Sequence, residues 1–195
     1  MKHYDSYKPS GVSWIDKVPC HWEEKRLSTV CSVKSITGCQ KENLLSVFLG
    51  KGIVPFKSEN SRRTNAITES TDLSKYQLVE PGDFVLNNQQ AWRGSVGISS
   101  LRGIISPAYI VLSFDIEINP KFCDFSVQSH PMISQYFISS KGVGSIQRNI
   151  SWNELKNSLL PIPPLDEQEA IVAFLDNKTY KIDSYVAERE RVRCA

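Results

Sequence analysis

Residues Gly82–Leu112, GDFVLNNQQAWRGSVGISSLRGIISPAYIVL, set unusual polar chemistry between two strand-like runs. Asp83–Leu86 and Ile110–Phe114 are short, rich in β-branched and aromatic residues, and bounded by Gly or Pro, the pattern of β-strands. Between them Asn87, Asn88, Gln89 and Gln90 offer four carboxamides in succession, followed by an indole at Trp92 and a guanidinium at Arg93. Gly94, Gly97 and Gly103 permit tight turns. No catalytic acid, base or nucleophile dominates the stretch. Carboxamides and guanidinium groups bond bidentately to adenine and guanine edges, and an aromatic ring supplies stacking or apolar contact. The same residues also suit a polar loop whose amides cap the end of a sheet. The stretch by itself leaves both readings open.

Working upstream, Pro81-Gly82 turns the chain into this stretch, and Thr71–Tyr76 suits one short helical turn capped by Thr71 or Asp72. Ser58–Thr71 is the most polar segment and reads as a surface loop. Weak alternation predicts strands at Ser28–Val33 and Leu45–Phe48, with a turn at Thr37-Gly38. Lys34, Lys41, Arg62 and Arg63 belong to a run of basic residues spread over these loops. Such residues contact phosphates, which sets affinity and orientation but not sequence, or simply form a solvated face.

Downstream, the run after Tyr109 alternates as a strand that places Asp115 and Glu117 on one solvated face. Pro120–Gly142 reads as helical, with a start signal at Ser129-His130-Pro131, an apolar face of Ile133, Tyr136, Phe137 and Ile138, and a stop at Gly142. Gly142–Ile150 reads as a glycine-rich loop carrying Arg148 and Asn149, and leads into a Ser151-x-x-Glu154 capping box. It lacks the Lys-Ser/Thr of a P-loop and the spacing of a dinucleotide fingerprint.

Leu160–Asp183, LPIPPLDEQEAIVAFLDNKTYKID, opens a long helix. Pro163 and Pro164 block helix before it, and Asp166, Glu167 and Glu169 place negative charge where the helix dipole favours it. Ile171, Leu175, Lys178, Ile182, Tyr185, Arg189 and Val192 recur at alternating steps of four and three, a coiled-coil seam imperfect at Lys178 and Arg189. A helix from Asp166 to Arg193 is about 42 Å long, more than one small domain needs for itself. At the other end, Tyr7–Leu27 is irregular and dense in Trp and Pro, with Trp14 and Trp22 suited to packing this arm onto the domain. No nucleophile or metal partner accompanies His21.

Three of these segments carry one resemblance. GDFVLNNQQAWRG with GIISPAYIVL, the opening Gly-x-x-Trp-Ile followed by Pro-x-His-Trp, and the LPIPPLDEQEAIVAFLDNKTYKID segment together resemble the specificity subunit of Type I restriction-modification enzymes. The resemblance implies an α+β fold. In it a target-recognition domain with a twisted mixed β-sheet and short helices (1–160) precedes one long coiled-coil-type helix (161–195) used for spacing or dimerisation. It implies sequence-specific recognition of double-stranded DNA, with methylation and cleavage left to partner modification and restriction subunits. Family subunits usually hold two recognition domains, whereas this chain holds one with one helix, as a fragment, a truncated gene product or a half-subunit would.

Composition agrees with such a role without proving it. Hydrophobic content of 41% and charged content of 23% are those of an ordinary globular protein, so neither wholesale disorder nor a membrane span is predicted, and a cytoplasmic location is the expectation. Five scattered cysteines, without metal-finger spacing, read as reduced thiols. The net charge of +2 divides into +4 over residues 1–160 and −2 over 161–195, so the globular part carries the weak positive footprint. No methyltransferase motif, cofactor loop or nuclease carboxylate set is present, so no catalytic residue, metal or cofactor is expected. A stand-alone methyltransferase or nuclease would need such a site.

The expected base-reading residues are Asn88, Gln89, Gln90, Trp92 and Arg93, with Lys34, Lys41, Arg62 and Arg63 on phosphates and Arg148 as a further DNA contact. Ile171, Leu175, Ile182, Tyr185 and Val192 are expected to meet a partner helix, in an antiparallel homodimer or in the modification subunit. The competing reading is a helix-mediated interaction module that binds no DNA by itself.

Overall fold

The computed structural model describes residues 4–12, 15–56, 72–143 and 147–193. Trp14, the 58–70 loop with Arg62 and Arg63, and the side chain of Val192 lie outside the described residues. In chain order come β1 (Tyr7–Pro9), β2 (Lys17–Pro19), β3 (Glu23–Arg26), α1 (Leu27–Val30), β4 (Cys31–Val33), β5 (Leu45–Phe48), β6 (Gly52–Pro55) and β7 (Gln77–Val79). There follow β8 (Phe84–Asn87), a 3-10 turn (Ala91–Arg93), β9 (Val96–Ile98), β10 (Gly103–Ile105), β11 (Tyr109–Phe114), α2 (Pro120–Val127) and α3 (His130–Ile138). The chain ends with β12 (Ser140–Val143), β13 (Gln147–Ile150), α4 (Trp152–Leu155), β14 (Leu159–Ile162) and α5 (Leu165–Arg193).

The two strands expected to flank the carboxamides, β8 and β11, form the centre of a four-stranded sheet ordered β4-β11-β8-β9. Their register sets Leu86 opposite Ile110, Val85 opposite Val111 and Phe84 opposite Leu112. Because side chains alternate across a strand, Phe84, Leu86 and Leu112 enter one core while Val85 and Val111 enter a second. The first core is closed by Leu27, Cys123, Val127, Met132, Tyr136, Leu155 and Leu160 from the helices and β14. The second is closed by Leu45, Val47, Ile53, Val79 and Ile105 from the β5–β6 hairpin and the β7–β10 pair. The class is α+β. Every named ladder is antiparallel, and among the described residues a parallel bridge joins Leu44 to Ile104.

Three local expectations are corrected. Ser28–Val33 is not one strand: Leu27 and Val30, three apart and both buried, close one helical turn, and only Cys31–Val33 pairs in the sheet. Pro120–Gly142 is not one helix. Pro131 has no N–H for the carbonyl four residues back and its ring would collide with it, so α2 stops at Val127 and α3 begins at His130. The carbonyl of Val127 is instead met by the Tyr136 hydroxyl, which donates to it at 2.8 Å. Finally, Gly142–Ile150 is not a loop, because its ends pair as the β12–β13 hairpin with Lys141 opposite Asn149 and Gly142 opposite Arg148.

The chain's early and late segments meet. β3 pairs with β14, and Leu27 and Ser28 donate their backbone N–H groups to the carbonyls of Ser158 and Lys156. From there α5 runs for 29 residues. Ile171 and Leu175 are half-buried and Val172 is buried against the domain, whereas every described side chain from 177 onward is exposed. Among the described residues no helix is long and apolar enough to cross a membrane.

Candidate nucleic-acid interface

The carboxamide segment leaves β8 at Asn87 and folds into a turn that satisfies its own backbone. The Asn87 side-chain oxygen accepts from Gln89 N at 3.0 Å, Gln90 N donates to the Asn87 carbonyl, and the Asn87 N–H bonds back to Ser95. Ala91, fully buried, pins the 3-10 turn, and Gly94 ends it at φ +96°, a backbone state that favours glycine. A side chain at Gly94 would also press on Ile133, whose Cδ1 lies 3.2 Å from the Cβ position. The turn therefore projects Gln89 and Arg93 into solvent and leaves Gln90 and Trp92 half-buried.

Four side chains from three elements then stack in series. The Arg93 guanidinium lies 4.5 Å above the Trp92 ring, and Trp92 meets Phe137 of α3 edge-on at 6.2 Å. The Arg148 guanidinium lies over the Phe137 ring, 4.1 Å from its centroid. Trp92 is held by its indole N–H, which donates to the Gln89 carbonyl at 2.9 Å. Arg148 is fixed by its Nε donating to Ser140 Oγ at 2.9 Å and by a further bond to the Ser140 carbonyl. Cation–aromatic contacts contribute roughly 0.5–1 kcal/mol at exposed sites. The stack is thus a pre-ordered surface in which each ring of an aromatic pair carries one guanidinium.

The structure brings together Gln89, Gln90, Trp92, Arg93 and Arg148 and separates them from Lys34. That lysine sits near the opposite end of β8, where its ammonium lies 2.7 Å from both Glu80 and Asp83. Its side chain is only 11% exposed, which makes it a structural cation. Burial alone pushes its pKa down, but the hydrogen bonds to Asp83 and Glu80 hold it above the ordinary lysine value. Glu80 also pairs with Arg102, which pairs with Glu42, and Lys41 is exposed beside that corner. Asn88 is drawn into the fold, its N–H bonding Ala108 and its carbonyl accepting from Ile150, and its side-chain oxygen is buried without a partner.

Sequence reasoning missed Phe137 and Leu49 as surface groups. Tyr136, Phe137 and Ile138 are consecutive, and one helix face cannot bury three neighbours. Tyr136 takes the core, leaving Phe137 45% and Ile138 65% exposed. That crowding was a usable signal. Leu49, 62% exposed at the tip of the β5–β6 hairpin, reaches the same side of the turn, 3.5 Å from a Cβ position at Gly94. Nothing in the sequence marked it.

Among the described residues no group of three or more His, Cys, Asp or Glu side chains is placed to hold a metal. A groove of about 880 Å³ lies between the β5–β6 hairpin and α2, and its Asp124 carboxylate already accepts from Ile98 N. Burial pushes the Cys31 thiol up to about 12 and the Cys123 thiol well above its usual value, which leaves both unreactive.

An α+β domain that displays a cation–aromatic surface and extends a solvent-exposed helix has the form of a recognition module. Residues 19–192 match the Type I restriction modification DNA specificity domain family, and the chain belongs to that family. Its fold is shared with several solved structures. The HsdS subunit from Thermoanaerobacter tengcongensis is 21% identical at a TM-score of 0.67, over 92% of this chain and 47% of that one. A chain from a study of complex assembly and conformational transition of the type I R-M system is 19% identical at 0.60, over 90% and 46%. The M. genitalium Type I S subunit is 14% identical at 0.52, over 86% and 41%. The chain therefore spans about half the length of the solved chains it matches.

Proposed function

We propose that this chain reads double-stranded DNA for a Type I restriction-modification enzyme and catalyses nothing itself, with methylation and cleavage carried out by modification and restriction subunits. The observation that carries this reading is the Arg93–Trp92–Phe137–Arg148 stack beside Gln89 and Gln90. Arg93, with its guanidinium exposed, and the two glutamines supply base-edge contacts. Arg148, whose Nε and one terminal nitrogen are committed to Ser140, supplies a phosphate contact through its other terminal nitrogen. Trp92 is the platform that aims Arg93. Lys41, Arg62 and Arg63 add phosphate contacts, whereas Lys34 and Asn88 serve the fold. DNA of this kind is held by phosphate contacts and identified by base contacts.

The helix supplies assembly. Ile182 and Tyr185, 63% and 57% exposed, leave an apolar seam that pairs with a second copy in antiparallel fashion or docks on the modification subunit. That seam also favours the second reading, a helix-mediated interaction module with no DNA binding of its own. One experiment separates the two. Duplexes selected from a randomised pool by the chain together with the modification subunit are sequenced, and a recovered short motif supports recognition. A stable protein complex that enriches no sequence supports the interaction module.

A further inference from the structure

Two neighbouring side chains in the first turn of α5 grip two different parts of the domain. Glu167 accepts from Trp22 Nε1 at 2.9 Å and meets His21 Nε2 at 2.5 Å, both from the arm between β2 and β3. Tyr4 backs this grip, its ring 5.6 Å from His21 and 6.3 Å from Trp22. Burial pushes the Glu167 carboxyl up, but hydrogen bonds from Trp22, His21 and Tyr4 outweigh it and hold the group below the ordinary glutamate value. Gln168 is 1% exposed. Its carbonyl oxygen accepts from Asn119 N at 2.8 Å, at the start of α2, and its amide donates to the Pro163 carbonyl at 2.9 Å.

Successive residues on an α-helix point about 100° apart. Grips at Glu167 and Gln168 therefore hold the helix from different sides and fix both its tilt and its rotation. Farther along, Val172 is buried and Asp176 pairs with Lys121 at 2.9 Å, an exposed pair of little strength. Beyond it, residues 177–191, whose side chains are all exposed, rise about 22 Å. A change of about 15° at the root would move the far end by about 10 Å, close to three base-pair steps.

We propose that Glu167 and Gln168 are positioning residues that set the direction in which α5 leaves the domain, and so the distance to whatever the helix docks. The consequence for DNA spacing rests on the proposed function. The grip itself does not.

The test reads distance, in chains free of DNA. Spin labels are placed at Asn153→Cys and Glu188→Cys after Cys20, Cys39 and Cys194 are replaced by Ser, and labelled chains are diluted with unlabelled ones so that only distances within one chain are read. The parent is expected to give one narrow distribution. Glu167→Ala and Gln168→Ala are expected to broaden it or move its mean by roughly 5–10 Å, the lever of a helix rising 1.5 Å per residue. Glu167→Gln, which keeps an acceptor for Trp22, stays near the parent. Trp22→Phe removes the donor without touching α5 and follows Glu167→Ala, so the test survives if Glu167→Ala fails to fold. Folded Glu167→Ala and Trp22→Phe chains with the parent's distribution would overturn the proposal. Shifted distances in a chain that selects no DNA would uphold the grip while removing the recognition reading.

Discussion

At Tyr136 a single hydroxyl resolves a conflict that Pro131 creates. The proline cannot serve the Val127 carbonyl, and Tyr136, fully buried, donates to it at 2.8 Å. Tyr136→Phe leaves that carbonyl buried and unpaired, and should lower stability by about 1–3 kcal/mol in urea unfolding. Lys34 makes a second residue-scale prediction. Glu80 is held below the ordinary glutamate value of 4.5, first by its hydrogen bond to Lys34. A depressed carboxyl contributes stability above its unfolded pKa and loses it as pH falls through the folded one. Lys34→Met should therefore be less stable than the parent near neutrality, and the two unfolding curves should converge as pH drops below 4.5. A gap that persists in acid would assign the loss to packing. None of this pairing was legible in sequence, because the partners of Lys34 lie 46 and 49 residues away.

At the scale of elements, legibility followed from how local the determining interactions are. Leu45–Phe48 was readable because its residues alternate between turn signals, and β8 and β11 because apolar runs between Gly and Pro suit buried strands. The long helix was readable because Pro163-Pro164 and the acids after them mark its start, which the structure places at Leu165. Pro131 marks the break in the sequence, but a proline in the first turn after Ser129 suits the start of a helix as well as the end of the one before it. The β12–β13 hairpin was masked by glycines at 142 and 144 that also suit a loop. In the site, the turn's composition was readable, whereas the meeting of Phe137 and Arg148 depends on α3 and the hairpin packing beside the turn. The exposed seam of α5 is open to a direct test. If its seam pairs with a second copy, light scattering should show a dimer at high micromolar concentration that Ile182→Glu with Tyr185→Glu converts to monomer. A monomer before substitution would leave the seam to the modification subunit.

For the molecule as a whole, the two cores on either side of β8 and β11 make one rigid support for a surface assembled from separate segments, and the root of α5 is tied to the same support. The stack and the exposed seam are carried by different elements, the 3-10 turn, α3 and β13 for the one and α5 for the other. The most direct test of the recognition surface is binding of the selected duplex, followed by fluorescence anisotropy against a scrambled duplex, for the parent and for Arg93→Ala with Arg148→Ala. A base-edge contact such as that of Arg93 contributes about 1–3 kcal/mol, so losing it should weaken binding of the selected duplex roughly 5- to 150-fold, and the double variant, which also lacks the Arg148 phosphate contact, should bind at least that much more weakly and lose most of its preference over the scrambled one. A folded double variant with the parent's affinity and preference would show that the stack is not the surface that reads DNA.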